Sequence, residues 1–369
     1  MELVTLPAVV RQFAVYGDFE SVVPYGGGHI NDTFVSSWNQ AGTALRYLHQ
    51  RINHHVFIHP DQVMDNIRRV TGHIAEKLRA AGVQDRSRRT LTVVPALDGK
   101  PYARDAEGGW WRTYLFIEGT RTLEVAESPP DARFLGASIG RFQKQLADLP
   151  LPRLYDTIPH FHNMEKRYAR FYEALEQDPR GRAKTVAAEA AFMRENEERG
   201  GLLIRALREG RIPERICHND TKMNNILIDA RDGGALCVAD LDTVMPGTSL
   251  FDVGDLVRTA AATAREDERD LSRVQFDTVF FESLLGGYLS EAGEFLTEAE
   301  TALIAEAGRN ITHIMALRFL TDYLEGDRYY HISRPDHNLD RSRNQIALVR
   351  SMDSQWKEAE RIAAGLSGA

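Results

Sequence analysis

The sequence predicts an α+β fold in two lobes: a small β-rich N-terminal lobe over residues 1–118 and a larger, mostly helical C-terminal lobe over 119–369. Three observations predict it. The first third reads as strand, strand, helix, strand, strand. Helical periodicity dominates the rest, which implies an α-rich lobe. One polar loop, between Ile216 and Asp229, interrupts that helical stretch and is flanked by short apolar runs.

Residues 7–20 read as a short helix with Val10, Phe13 and Ala14 inward. A glycine cluster, Gly26-Gly27-Gly28, then separates two strand-like runs, Val22-Val23-Pro24 and Ile30 to Val35, and predicts a flexible hairpin turn. Backbone N–H groups of such a turn are suited to covering phosphates, although glycine clusters also mark ordinary turns. A strand over 44–51 follows. Pro60 opens a helix in which Val63, Ile67, Val70, Ile74 and Leu78 recur at helical spacing, and Gly82 ends it. Thr90–Leu97 and Trp111–Ile117 read as strands joined through a turn at Asp98-Gly99-Lys100. Glu118-Gly119-Thr120 is the expected hinge, because glycine lets the backbone change direction. Beyond it, helices are expected over 131–148, 161–177 and 185–209, and after the polar loop over 251–262, 275–291, 297–325 and 340–364.

The polar loop carries the chemistry. It reads His218-Asn219-Asp220-Thr221-Lys222-Met223-Asn224-Asn225, and a second apolar run ends at Asp240-Leu241-Asp242. Phosphoryl transfer needs an Asp to receive the proton of an attacking hydroxyl. It also needs an amide oxygen and a second Asp to hold magnesium against nucleotide phosphates. Asp220, Asn225 and Asp240 fit those roles in that order. The competing reading is a hairpin capped by turn-forming Asn and Asp. Charge argues against it: Asp220, Asp240 and Asp242 in one pocket would repel by on the order of several kcal/mol, and a metal ion removes that cost.

Composition narrows the partners. With 43% apolar and 27% charged residues the chain has the makeup of a soluble globular protein. A net charge of −8 argues against nucleic acid or an anionic membrane as the main partner. The two cysteines, Cys217 and Cys237, offer no zinc spacing and no disulfide framework, so a reducing, cytoplasmic location is expected. Met1 to Pro7 lacks a basic, then apolar, leader pattern, and no apolar run is long enough to span a bilayer. No Gly-x-x-x-x-Gly-Lys-Ser/Thr run occurs, which excludes a Walker-type phosphate loop.

Three stretches carry a resemblance: Gly26 to Thr33, His218 to Asn225, and Asp240-Leu241-Asp242-Thr243-Val244-Met245-Pro246-Gly247. Together they resemble the aminoglycoside phosphotransferase/choline kinase superfamily, and within it most closely the N-acetylhexosamine 1-kinase branch. The resemblance implies a bilobal, protein-kinase-like fold. It also implies ATP with Mg2+, and phosphorylation of the anomeric hydroxyl of N-acetylglucosamine or N-acetylgalactosamine. Carried over by position, Asp220 is the base, Asn225 and Asp240 are metal ligands, and Asp242 is a metal-adjacent carboxylate. Gly26, Gly27, Gly28, Thr33, Arg51, Phe116 and Glu118 are the expected nucleotide contacts. The strand at 44–51 departs from the kinase pattern in having no lysine, so Arg46, Gln50 and Arg51 are the candidates for the α/β-phosphates. Neither does Phe-Gly follow Asp240, so regulation through an activation loop is not expected.

For the acceptor, Arg318 falls four residues after Ile314 and seven after Ile311, on the apolar stripe of its helix. A guanidinium there must be paired or face a wet cavity. An i,i+4 pair with Asp322 satisfies the first condition, and a hydrogen bond to a sugar satisfies the second. Tyr329 and Tyr330 offer ring faces for a sugar or simply pack. His29 and Asp32 are the acceptor contacts expected from the glycine turn. Asp252 and Asp255 are expected to cap and brace a helix start. Two other functions compete: kinase of another small alcohol, of aminoglycoside, choline or homoserine type, and a nucleotide-binding regulator without turnover.

Overall fold

The computed structural model describes residues 6–26, 30–123 and 125–367. Gly27, Gly28 and His29 lie outside the described residues. The fold is α+β, as expected, with sheet concentrated towards the N-terminus and helices towards the C-terminus.

The strands run β1 (Asp18–Pro24), β2 (Asp32–Gln40), β3 (Thr43–Ile52), β4 (Val93–Val94), β5 (Ala103–Arg104), β6 (Trp110–Leu115), β7 (Thr120–Arg121), β8 (Arg215–Cys217), β9 (Ile226–Asp229) and β10 (Ala235–Val238). The main helices are α1 (Leu6–Val10), α2 (Pro60–Ala80), α3 (Arg86–Arg89), α4 (Pro129–Leu146), α5 (Met164–Gln177), α6 (Ala187–Gly200), α7 (Leu202–Arg208), α8 (Ser249–Ala260), α9 (Thr278–Ala292), α10 (Glu298–Ala302), α11 (Ile304–Glu325), α12 (His337–Ser354) and α13 (Trp356–Ser367).

The chain divides into two compact units. The first comprises residues 1–122, 148–159 and 226–245, and the second comprises 123–147, 160–225 and 246–369. A single cut after residue 118 therefore does not describe the division. Two sets of long-range bonds explain the difference. The hairpin β9–β10 joins the first unit because β9 pairs antiparallel with β7, and Leu236 and Cys237 bury against Ile117. The segment 148–159 joins it because α2 holds it: buried Asn66 bonds both the carbonyl (2.8 Å) and the N–H (3.0 Å) of Tyr155, and Arg69 donates to the Pro150 carbonyl.

The main sheet of the first unit runs in the order β1-β2-β3-β6-β4, all neighbours antiparallel, with β5 also on β6. Its core face gathers Trp38, Tyr47 and Trp111, with Val10 and Phe13 from the N-terminus. Those last two point inward as expected, but the helix stops at Val10 and a strand begins at Asp18. Gly17 separates them: its φ is +96°, and a Cβ there would lie 2.9 Å from the Asn39 carbonyl oxygen. The strand expected over 90–97 shrinks to β4, because Pro95 lacks an N–H and its carbonyl bonds Ala14 instead.

In the second unit, α4 and α9 cross at glycines. A Cβ on Gly136 would come 2.0 Å from the Leu284 carbonyl oxygen, and one on Gly287 2.0 Å from that of Arg133. The long helix expected over 185–209 breaks into α6 and α7 at Gly200-Gly201. Asn310 takes the Gly200 carbonyl at 2.6 Å, and a side chain at 200 would strike the His313 ring. The helices expected over 297–325 and 340–364 are likewise each two, interrupted at Leu303 and Gln355. Among the described residues no helix is long and apolar enough to cross a membrane. Cys217 and Cys237 are buried free thiols, and burial pushes the Cys237 thiol up to about 12.

Candidate active site

In the second unit, β8 delivers the chain into the polar loop, and α8 holds that loop from below. Asp252 is fully buried. Its carboxylate accepts the backbone N–H of His218 (2.9 Å) and of Asn219 (2.7 Å), and the Gln143 side-chain amide at 2.8 Å. Tyr288 in turn donates to the Gln143 carbonyl oxygen at 2.5 Å. Burial pushes the Asp252 carboxyl up, and the N–H donors work against that shift. Asp255 accepts the Thr221 N–H at 3.0 Å and pairs with Arg258 at 2.8 Å. Burial would raise the Asp255 carboxyl, but Arg258 outweighs it and the net shift is downward. These aspartates were expected to cap a helix start. The helix start has no side-chain cap, and the two carboxylates brace the polar loop instead.

The brace fixes what the loop presents. Asn219 sits at φ +65°, in the left-handed region that Asn tolerates. Asp220 is partly exposed, and Lys222 lies 2.9 Å from its carboxylate. Asn225 donates its amide N–H2 to the Asp220 carbonyl at 2.9 Å, which leaves the amide oxygen as the atom of that side chain able to ligate a cation. An oxygen donor of that kind suits magnesium, which takes few protein ligands and is completed by phosphates and water. Among the described residues no three His, Cys, Asp or Glu side chains form a ready metal cage.

In the first unit, Asp240 follows β10 at φ +56°. Asp242 is buried, and both its oxygens are engaged. Arg112 forms a two-pronged ion pair with it, and Asn31 donates to it at 2.6 Å. Arg112 also donates to Gln50 at 2.9 Å, and Gln50 to Thr33 at 3.1 Å. Sequence reasoning missed Arg112. The signal was a lone cation inside Trp110-Trp111-Arg112-Thr113-Tyr114, an otherwise uncharged strand.

The expected nucleotide contacts do not share one face of this sheet. Register pairs Gln50 with Thr33 and with Arg112, and pairs Arg51 with Asp32 and with Trp111. Successive residues of a strand face opposite ways. Thr33, Gln50 and Arg112 therefore lie on one face, and Asp32 and Arg51 on the other, where Arg51 pairs with Asp105 at 3.6 Å. Arg46 is on the Gln50 side. Its guanidinium lies 4.1 Å from the Phe116 ring centre and is forked onto Glu118. Hydrogen bonding to Glu118 raises the Arg46 pKa further. Gly26 adopts φ +70°, and Tyr25 next to it bonds the Thr33 carbonyl at 2.9 Å.

Arg318 makes no bond to Asp322, so the i,i+4 pair does not form. Asp322 instead accepts the backbone N–H groups of Arg328, Tyr329 and Tyr330. Arg318 lies among rings, 4.8 Å from the centre of Phe161, 5.6 Å from Tyr329 and 5.4 Å from Tyr330. Beside it His162 is buried, and burial pulls its imidazole down to about 3, so it is neutral.

Residues 21–282 match the model of a phosphotransferase enzyme family. Solved structures share the fold at low identity. An aminoglycoside phosphotransferase from Alicyclobacillus acidocaldarius superposes with a TM-score of 0.57 at 14% identity, covering 98% of this chain and 94% of that one. A spectinomycin phosphotransferase, solved with ADP and spectinomycin, gives 0.55 at 12% identity, with 90% and 93% covered. An ethanolamine kinase from Plasmodium vivax gives 0.53 at 14% identity, with 87% and 80% covered.

Proposed function

Because the chain belongs to the phosphotransferase enzyme family, we propose that it moves the γ-phosphoryl group of ATP onto the anomeric hydroxyl of an N-acetylhexosamine such as N-acetylglucosamine or N-acetylgalactosamine. The observation that carries the reading is the brace beneath the polar loop. Asp252 and Asp255 together take three consecutive-region backbone N–H groups, at His218, Asn219 and Thr221, and so fix the segment on which Asp220 stands. Such rigidity is what a transfer reaction run by positioning and electrostatics requires.

In this reading the acceptor hydroxyl is oriented by Asp220, which takes its proton as the oxygen attacks phosphorus in line with the leaving ADP. Lys222, paired with Asp220, keeps a positive charge next to that carboxylate. Asn225 and Asp240 would hold Mg2+, which supplies neutralising charge to the nucleotide phosphates when bound. Asp242, whose oxygens already accept from Arg112 and Asn31, fits a bracing role better than a metal ligand. It keeps the turn after β10 in place. Arg46, Gln50 and Thr33, on the Arg112 face of the sheet, with Phe116 against Arg46, are the nucleotide contacts that fit best. Arg51, on the other face and paired with Asp105, fits least.

Arg318 and Tyr329 support a sugar acceptor: a guanidinium without a carboxylate beside an exposed ring donates to hydroxyls and stacks on a pyranose face. The same cation opposes a cationic aminoglycoside, choline or ethanolamine at this position. An acceptor panel with ATP and Mg2+, read as ADP release and as product by mass, tests the assignment. N-acetylhexosamines are expected to be the preferred acceptors. Preference for a cationic alcohol would overturn it, and ATP binding without transfer to any acceptor would favour a regulator.

A further inference from the structure

A shallow, open cleft in the second unit is lined by Arg167, Arg170, Arg318, Asp322, Glu325 and Tyr330, among others. Its charges are unequally satisfied. Glu325 holds Arg170 through two bonds, 2.7 and 2.6 Å long. Asp322 spends one oxygen on the N–H groups of Arg328 (2.9 Å) and Tyr329 (2.8 Å). It spends the other on the N–H of Tyr330 (3.0 Å) and the Asn338 amide (2.9 Å). Neither carboxylate reaches Arg167 or Arg318.

Those two cations meet at one residue. Arg167 donates twice to the Phe161 carbonyl, at 3.2 and 2.8 Å, and Arg318 lies 4.8 Å from the centre of the Phe161 ring. A carbonyl and a ring face satisfy donors and attract a cation, but they do not neutralise two charges. Burial, and after it the Arg318 charge, pull the Arg167 guanidinium down to about 10. The Tyr330 hydroxyl is shut off from water and has no hydrogen-bond partner. A buried donor without an acceptor is costly.

We infer that this cleft receives an anionic group, a carboxylate or a phosphate, carried on the acceptor, with Arg167 and Arg318 as the paired donors. Two forked guanidinium groups match the oxygens of either anion. Arg318 also feels the charge of Asp220, which puts the cleft within electrostatic reach of the polar loop. The inference rests on the sugar-kinase reading and narrows it from neutral hexosamines to acidic ones.

The test compares kcat/KM for N-acetylglucosamine with that for hexosamines bearing a carboxylate at C6, an ether-linked carboxylate at C3, or a phosphate at C6. At least one acidic acceptor is expected to exceed the neutral sugar by about tenfold or more, as a charge-assisted bond to a desolvated guanidinium implies, and the advantage should shrink with salt. The ratio of acidic to neutral kcat/KM should collapse in Arg167→Gln and return in Arg167→Lys. An unchanged ratio in Arg167→Gln overturns the inference and leaves Arg167 as a brace for Phe161. Equal kcat/KM for all acceptors overturns it too, without touching the kinase reading. If inorganic phosphate activates or competes with the neutral sugar while acidic acceptors gain nothing, the anion is a free one and the inference also fails. If no acceptor is phosphorylated, the kinase reading fails and calorimetry decides. Acidic sugars that bind the wild type and bind Arg167→Gln at least about tenfold more weakly still support the cleft, and no binding removes it.

Discussion

Arg112 and Asp242 form an ion pair that is almost wholly excluded from water, with side chains 1% and 4% exposed. It ties the middle of β6 to the segment that follows Asp240. A buried pair adds little over an apolar replacement, but breaking one partner strands the other charge. Asp242→Ala is therefore expected to destabilise the fold by about 3–5 kcal/mol, read as a drop in urea midpoint. Replacing both partners by apolar residues should cost less than either single change. If the single and double variants were equally unstable, the pair would not be the cause.

Asp252 bears on activity more than on affinity. Its carboxylate accepts from His218, Asn219 and Gln143 at once, and an amide in its place turns one acceptor into a donor facing those groups. Asp252→Asn is expected to shift the polar loop and to lower kcat by about a hundredfold, the cost of misplacing a reacting group by an ångström. The KM for ATP should move only a few-fold. Steady-state kinetics on a variant with wild-type circular dichroism checks this, and a loss confined to KM would contradict it.

Much of this was legible in the chain. α2 could be read from Val63, Ile67, Val70 and Ile74, and all four are buried. β3 could be read nearly to its ends, β2 only over its first residues, and the polar loop from residue types alone. What escaped had a common cause: partners distant in sequence. Arg112 looks like an outward residue of an alternating strand, and only Asp242, 130 positions away, gives it a buried role. Asp252 and Asp255 look like helix caps because the donors they accept from, backbone N–H groups of another segment, leave no trace in composition. Asp322 stands at the right spacing for Arg318, yet the turn at 328–330 claims it. The units interleave for the same reason, since β9 pairs with β7 across a hundred residues of intervening helix.

Asp220 carries the proposed proton transfer. Asp220→Asn keeps size and hydrogen bonding but cannot take the proton. Turnover is expected to fall by at least about a hundredfold, the lower end for a positioned acid or base, with nucleotide affinity retained. Single-turnover assays with labelled ATP and calorimetric binding separate the two quantities. Near-normal turnover would remove Asp220 from the reaction.

Acid should weaken the fold earlier than carboxylates alone would cause. Burial pulls His49, His162 and His313 each down to about 3, against an ordinary value near 6.5. A histidine held neutral in the fold binds its proton only on unfolding. Its contribution is complete above about pH 6.5 and is lost as pH falls toward 3, by up to about 1.4 kcal/mol per pH unit. His49 is the clearest case, fully buried between the hydroxyls of Ser36 (2.7 Å) and Thr113 (2.8 Å). Urea unfolding between pH 6 and pH 4.5 should show a steep slope that His49→Gln reduces by about one proton. A slope unaltered by the substitution would mean that His49 is already charged in the fold.

The crossing of α4 and α9 depends on absent side chains. Gly136 and Gly140 on α4 face Leu284 and Tyr288 of α9, and Gly287 faces Arg133. A methyl group on Gly136 would lie 2.0 Å from a backbone carbonyl, which cannot rotate away, so the helices must separate. Alanine normally favours a helix over glycine by about 1 kcal/mol, and here over-packing should reverse that sign. Gly136→Ala is expected to destabilise the protein by about 1–3 kcal/mol or more, whereas Gly72→Ala, with open space at its Cβ on α2, should stabilise it slightly. Because Gln143 on α4 and Tyr288 on α9 both support Asp252, separation of these helices also loosens the brace under the polar loop. Thermal unfolding and kcat measured on the same two variants test both consequences: Gly136→Ala should lose stability and turnover together, and Gly72→Ala should lose neither.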